Sequence, residues 1–298
     1  MVDFKAYIFS LVAVFLALGI GIVVGITLVS DDSLAKEQKI IIDRLEDEFT
    51  TLREVSRQTQ KEISSFKDIN GVYVQFAETV LPELVKEKLR GRNIAVISIN
   101  QYVNTDILEN TLILAGANVA SLIRINTNFD FTSANFRTVL QTDLGIKTKE
   151  TNELIAETSR LIASGITDGF EQREFALLQE MNLVQFIGSA GVTLDNVILI
   201  GGRQVRNDNL VKLIDLTLID YFTENGVKVA AAEQSQVPYS SMPLYQTKDI
   251  ITVDNIETVI GQVALIYALD EMPGHYGVKA TAASILPDPK CIKVGNSF

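Results

Sequence analysis

The run Ala6–Ser30, AYIFSLVAVFLALGIGIVVGITLVS, holds no charged residue. A helix of about 20 consecutive apolar residues is long enough to cross the hydrocarbon core of a bilayer. Any fold for this chain must therefore place one segment in lipid and keep the more polar remainder in water. The run exceeds the usual signal-peptide core of about 7–15 apolar residues, only Lys5 stands against Asp3 ahead of it, and no A-x-A cleavage site follows. The expectation is an uncleaved, single-pass membrane anchor. Gly21 and Gly25 form a G-x-x-x-G pair with Gly19 nearby, a spacing that lets two membrane helices approach closely, although Gly is common in such helices in general. Counting Lys36, Lys39 and Arg44 after the run against Lys5 and the amino terminus before it favours a cytoplasmic C-terminus. Long domains translocate regardless of such charges, so orientation stays open on this count.

The formal net charge is −11 over 298 residues, without a basic patch. That argues against nucleic acid as a partner and leaves the apolar run, not electrostatics, to attach the chain to a membrane. The hydrophobic fraction of 47% is enough for a sizeable core beyond the anchor. Cys291 is the single cysteine, which excludes an intrachain disulfide.

From Leu34 to about Ile69 there is no Pro or Gly, and ten acidic and seven basic residues lie between Asp31 and Asp68. Strong helix formers with mixed charge suit a solvated helix surface. Ile41, Leu45, Leu52, Val55, Phe66, Ile69, Tyr73, Phe76 and Val80 follow the a and d sites of a heptad, interrupted by Glu48, Thr59 and Glu62. This predicts a coiled-coil stalk, roughly 54 Å long for 36 residues, over an isolated amphipathic helix. Asn70-Gly71 is an expected break, and Pro82 suits the first turn of a new helix that ends near Leu89.

Beyond Arg90-Gly91-Arg92, elements alternate. Ile94–Ile99, Val119–Ile125, Leu183–Ile187, Asn196–Ile200, Val227–Ala232 and Ile250–Val253 read as strands. Ile107–Ala115, Ser133–Leu144, Glu150–Ser164, Glu171–Met181, Asn209–Glu224 and Asn255–Leu269 read as helices, with Asp106 and Asp254 as the caps of the first and last of these. Two βαβ units predict an α/β domain of three layers, Rossmann-like, with a mostly parallel sheet; the tail from Pro273 is expected to be irregular. The predicted organisation is an anchor over 1–32, a coiled-coil stalk over 33–90 and the α/β domain over 91–298.

Chemistry-bearing motifs are sparse. Gly201-Gly202-Arg203 follows a buried strand, where backbone amides can hold a phosphate, but it lacks the G-x-G-x-x-G and P-loop patterns, so a tight turn is the favoured reading. Gly188 to Gly191 reads the same way. His275 is the sole imidazole and no G-x-S-x-G elbow exists, so no enzyme activity is expected. Met272, His275 and Cys291 bring thioether, imidazole and thiolate within twenty residues. These are ligand types suited to a cuprous ion, and they are the candidate copper ligands, weighed against coincidence because no spaced Cys or His motif accompanies them.

Three stretches carry a family resemblance: FSLVAVFLALGIGIVVG (Phe9–Gly25), VDNIETVIGQVALIYAL (Val253–Leu269) and GHYGVKATAASILPDP (Gly274–Pro289). With the pattern between them, the chain resembles the MctB-like copper transporter family over essentially its whole length. The resemblance implies copper transport or homeostasis, with copper as the species handled, by a cell-membrane protein whose bulk lies outside the cytoplasm. Related proteins partner a membrane protein called SteA in cell separation. The alternative this opens is a dimeric scaffold of the cell-division machinery, a homo- or hetero-oligomer through the coiled coil with a SteA-like partner.

Overall fold

The computed structural model describes residues 4–28, 31–127, 129 and 131–288. These fall into two compact units, 1–72 and 73–298. In the first, α1 (Phe4–Leu28) is the one helix among the described residues long and apolar enough to cross a membrane. A Cβ on Gly19, Gly21 or Gly25 would meet nothing within 4 Å, so that face of α1 is open.

The second helix, α2 (Asp31–Val85), runs through both Asn70-Gly71 and Pro82 without a break, contrary to the sequence expectation. One mid-helix Gly costs only about 1 kcal/mol relative to Ala, and strong helix formers surround it. Pro82 removes one amide three residues before the helix ends at Val85, while burial of Leu81 and Val85 on either side offsets the loss. Ile41, Leu45, Leu52, Val55, Phe66, Ile69, Tyr73 and Phe76 are all exposed, and Val80 is half-buried.

The second unit is built on one sheet. Its strands are β1 (Asn93–Ser98), β2 (Asn118–Ile125), β3 (Val184–Gly188), β4 (Asn196–Ile200), β5 (Lys228–Ala232), β6 (Ile251–Val253) and β7 (His275–Tyr276), in the order β3-β2-β1-β4-β5-β6-β7. Every neighbouring pair is parallel except β2 with β3. The central strands read as unbroken apolar runs because both faces are covered. In β1, Ala95 and Ile97 enter one core while Ile94 and Val96 enter the other; in β4, Val197 and Leu199 oppose Ile198 and Ile200.

Over the first face lie α4 (Ala134–Thr142), α5 (Thr151–Asp168), α6 (Gln172–Glu180) and α8 (Leu216–Glu224), burying Leu140, Leu154, Ile162, Leu178 and Phe222. Over the second lie the end of α2, α3 (Asp106–Leu114) and α10 (Val259–Asp270), burying Val85, Leu112 and Leu265. Helix α10 is buried almost all round from Gly261 to Leu269, hence its lack of a polar face. Arg92 donates to the Leu269 carbonyl at 2.6 Å and to the Asp270 carbonyl at 3.2 Å, supplying a cation where the α10 C-terminus leaves acceptors free. The Tyr267 hydroxyl donates to the Leu84 carbonyl at 3.1 Å, fastening α10 to α2.

Further differences from the sequence reading concern caps and the tail. Helix α10 starts at Val259, not Asn255, and its cap is Thr258, whose hydroxyl accepts from the Gly261 amide at 3.0 Å. Asp254 instead accepts amides from Val278 and Lys279, and Glu257 accepts from the Ser235 amide. The predicted 209–224 helix is three pieces: α7 (Asp208–Leu210), a π-helical stretch Val211–Asp215, and α8. A short helix, α9 (Met242–Tyr245), lies between β5 and β6. The tail is not wholly irregular, since β7 adds to the sheet beside β6 and Tyr276 bridges to Ser284.

Candidate functional site

In the sheet order, β1 stands between β2 and β4, the point at which the direction of winding reverses. The chain leaves β1 for α3 on one face, and leaves β4 for α7 and α8 on the other. Loops diverging from neighbouring strand ends leave a gap at the carboxyl edge, where open α/β sheets bind their ligands. The gap here is a cleft of about 370 Å³ lined by Ile99–Tyr102 after β1, Thr127 after β2, and Gly202–Val205, Asn207 and Leu210 after β4.

The loop after β4 is held by a buried triad. Arg203 donates to Asp215 Oδ1 at 2.5 Å and to the Thr127 hydroxyl at 3.3 Å, and the Tyr245 hydroxyl donates to Asp215 Oδ2 at 2.6 Å. Asp215 and Tyr245 are fully buried, and the Arg203 side chain is 10% exposed. Burial pushes the Asp215 carboxyl above the ordinary carboxylate range, against the opposing pull of Arg203 and Tyr245. Burial, reinforced by Asp215, raises the Tyr245 phenol well above its ordinary value. Asp215 occupies the last position of the π-helical stretch, where the ladder departs from α-helical spacing.

The glycines of Gly201-Gly202-Arg203 serve this arrangement. A Cβ on Gly201 would fall 2.1 Å from the Tyr245 hydroxyl oxygen, and Gly202 has φ +86°, outside the range most residues adopt. Gly201→Ala is expected to push Tyr245 off Asp215 and cost about 1–3 kcal/mol, measured as a lower midpoint of thermal unfolding. An unchanged midpoint would mean that Tyr245 has room to move aside.

A second polar cluster lies at the carboxyl ends of β5 and β6. Glu233, fully buried, accepts from Lys279 Nζ, the Ser240 hydroxyl and the Ser241 amide. Asp254 takes the Val278 amide at 2.7 Å, and a Cβ on Gly277 would fall 2.1 Å from Asp254 Oδ1. Gly277 and Lys279 of the GHYGVK stretch thus clasp the loop after β7 onto the sheet.

The candidate copper ligands have structural surroundings. Met272 packs, partly buried, against the core under α10, and its carbonyl accepts from the Tyr276 hydroxyl. His275 sits on β7, its Nδ1 bonded to the Thr252 hydroxyl at 2.9 Å. Cys291 lies outside the described residues. Among the described residues no group of three or more His, Cys, Asp or Glu is placed to hold a metal ion. The sequence singles out Gly202 and Arg203 of the cleft lining; it does not single out Asp215 behind the cleft, whose signal is a lone acid inside the apolar run LIDLTLI, or Glu233 of the second cluster, an acid directly after a buried strand.

Set against known families, residues 1–287 match the profile described as "Copper transport outer membrane protein, MctB". The chain belongs to the MctB family. The match takes in α1, α2 and every strand of the sheet, and therefore both polar clusters at its carboxyl edge, as parts of the MctB fold. No curated protein matches the chain.

Proposed function

We propose that this MctB-family chain is a non-enzymatic, single-pass envelope protein, tethered by α1 with the residues beyond it outside the cytoplasm, and that it serves copper homeostasis. The observation that carries this reading is the family match from residue 1 to residue 287, anchor included. Copper is the species handled. A single span tethers one chain readily and forms a conduit only when several associate, so the part played in transport rests on assembly. The strands are two to eight residues long and covered by helices, whereas a transmembrane barrel needs strands of about 9–11 residues facing lipid.

Deletion of the gene tests the reading. Raised intracellular copper or copper sensitivity, reversed by the intact gene, supports it; an unchanged copper phenotype overturns it. Direct contact with the ion is assigned to Met272, His275 and Cys291, and calorimetric titration of the full-length protein with Cu(I) examines this. Affinity should fall with Met272→Leu, His275→Ala and Cys291→Ser, and unchanged affinity in all three removes these residues from the proposal.

The exposed apolar positions of α2 favour a second reading, a dimeric coiled-coil scaffold of the cell-separation machinery with a SteA-like membrane partner. Leu45, Leu52 and Val55 expose apolar surface at heptad spacing, and self-pairing would remove it from water. In this reading crosslinking through the stalk traps a dimer in wild type and little or none in Leu52→Asp with Val55→Asp, and the deletion strain grows as chains. Wild-type protein that stays monomeric at the membrane argues against it.

A further inference from the structure

The cleft over β1 and β4 is lined by groups whose hydrogen-bonding capacity is only partly used. Asn207 Oδ1 accepts from the Leu210 amide at 3.0 Å, which leaves its two amide hydrogens without a partner among the described residues. Gln101 donates through Nε2 to Asn126 Oδ1 at 2.6 Å, leaving its carbonyl oxygen as a spare acceptor. Gln204 lines the cleft, is exposed, and has neither its donor nor its acceptor engaged among the described residues. Donors and acceptors are therefore offered together. On the rim Tyr102 is 71% exposed, a large aromatic face left in water beside a polar hollow.

Charge narrows the ligand class. Among the described residues Arg203 is the one charged group in the lining, and Asp215 behind it neutralises it. The loop after β1 contains no glycine, and the helical run after the glycine pair, Asp208 to Glu224, carries an acid, Asp208, in its first turn. A negative charge in that first turn disfavours a diphosphate, and the Asn207 side chain already caps the Leu210 amide. A hydroxyl both donates and accepts, and a pyranose ring adds a C–H face that an exposed aromatic side chain can cover. We propose that this cleft binds a neutral saccharide, with Gln101, Gln204 and Asn207 on its hydroxyls and Tyr102 against its ring. The cleft volume of about 370 Å³ falls in the range of small-molecule sites.

The test is saturation-transfer NMR on the full-length chain in lauryldimethylamine oxide, a detergent without a sugar headgroup. The probes are glucose, N-acetylglucosamine, adenosine monophosphate and inorganic phosphate. The expected result is transfer onto the ring protons of at least one sugar, with affinity about tenfold weaker in Tyr102→Ala and in Gln204→Ala. Both side chains are exposed, so thermal unfolding should be unchanged in these variants. Absence of transfer to both sugars overturns the proposal, as does transfer undiminished in both variants. Transfer to adenosine monophosphate with the sugars silent overturns it in favour of a nucleotide site. The copper phenotype of a deletion strain does not enter this measurement, so the two readings stand or fall separately.

Discussion

Replacing Arg203 with Met should destabilise the sheet unit by about 3–5 kcal/mol near neutral pH, because it strands the Asp215 carboxylate in an apolar interior. For a unit of this size the unfolding midpoint should fall by roughly 6–20 °C. The pH dependence identifies the cause. Burial already raises the folded-state value for Asp215, and Arg203 is the chief group opposing that rise. Without Arg203 the value climbs further above the unfolded one, about 3.9 for a free Asp. Below the unfolded value both states hold the proton and the carboxylate exacts no penalty; as pH rises through the elevated folded value, stability is lost. The deficit of Arg203→Met relative to wild type should accordingly shrink on acidification toward pH 4 and be largest above neutrality. A deficit independent of pH would show that lost packing by the long side chain, not the stranded charge, is responsible. Tyr245→Phe keeps the ion pair and removes one hydrogen bond, so its cost should be smaller, about 1–3 kcal/mol.

Lys279→Met is expected to have an effect of similar size for a related reason. Glu233 is fully buried, and Lys279 supplies its counter-ion from a loop some 46 residues further along the chain. Removing the ammonium leaves Ser240 and the Ser241 amide as the remaining partners of a full negative charge, at a cost of about 3–5 kcal/mol. The change should also release the loop after β7, so limited proteolysis should cut between Gly277 and Leu286 much sooner than in wild type. Glu233→Gln combined with Lys279→Met removes both charges and should recover a large part of the loss. A single variant as stable and as resistant to protease as wild type would show that the Asp254 contacts alone hold the loop.

These two networks also mark where the sequence stops being legible. Strands β1, β4 and β5 stood out as apolar runs because a sheet covered on both faces demands apolar side chains at every position. Helices α5 and α8 stood out by period. The caps did not, because an acid before a helix has competing uses: Asp254 sits at the right spacing to cap, yet its carboxylate is taken by the Val278 and Lys279 amides more than twenty residues away. The break expected at Asn70-Gly71 failed because local propensity is a small effect against the flanking turns of helix. The cleft depends on which strand pairs with which, and the placing of β4 beside β1 leaves no trace in local pattern. Gly201 is instructive: the glycine pair read as a tight turn, and its first member is also the space into which the Tyr245 hydroxyl fits, which no local pattern announces.

The way α2 ends sets the smallest piece of this protein that can be handled in isolation. Leu81, Val85 and Leu89 contribute to the same core as Leu108, Leu112 and Leu265, and the Leu84 carbonyl receives the Tyr267 hydroxyl. A fragment beginning at Arg92 would keep every strand and still leave α3 and α10 with their apolar sides bare, prone to clump rather than dissolve. One beginning near Tyr73 carries its own cover. Anything that winds, bends or shortens the end of this helix is therefore felt first at α10.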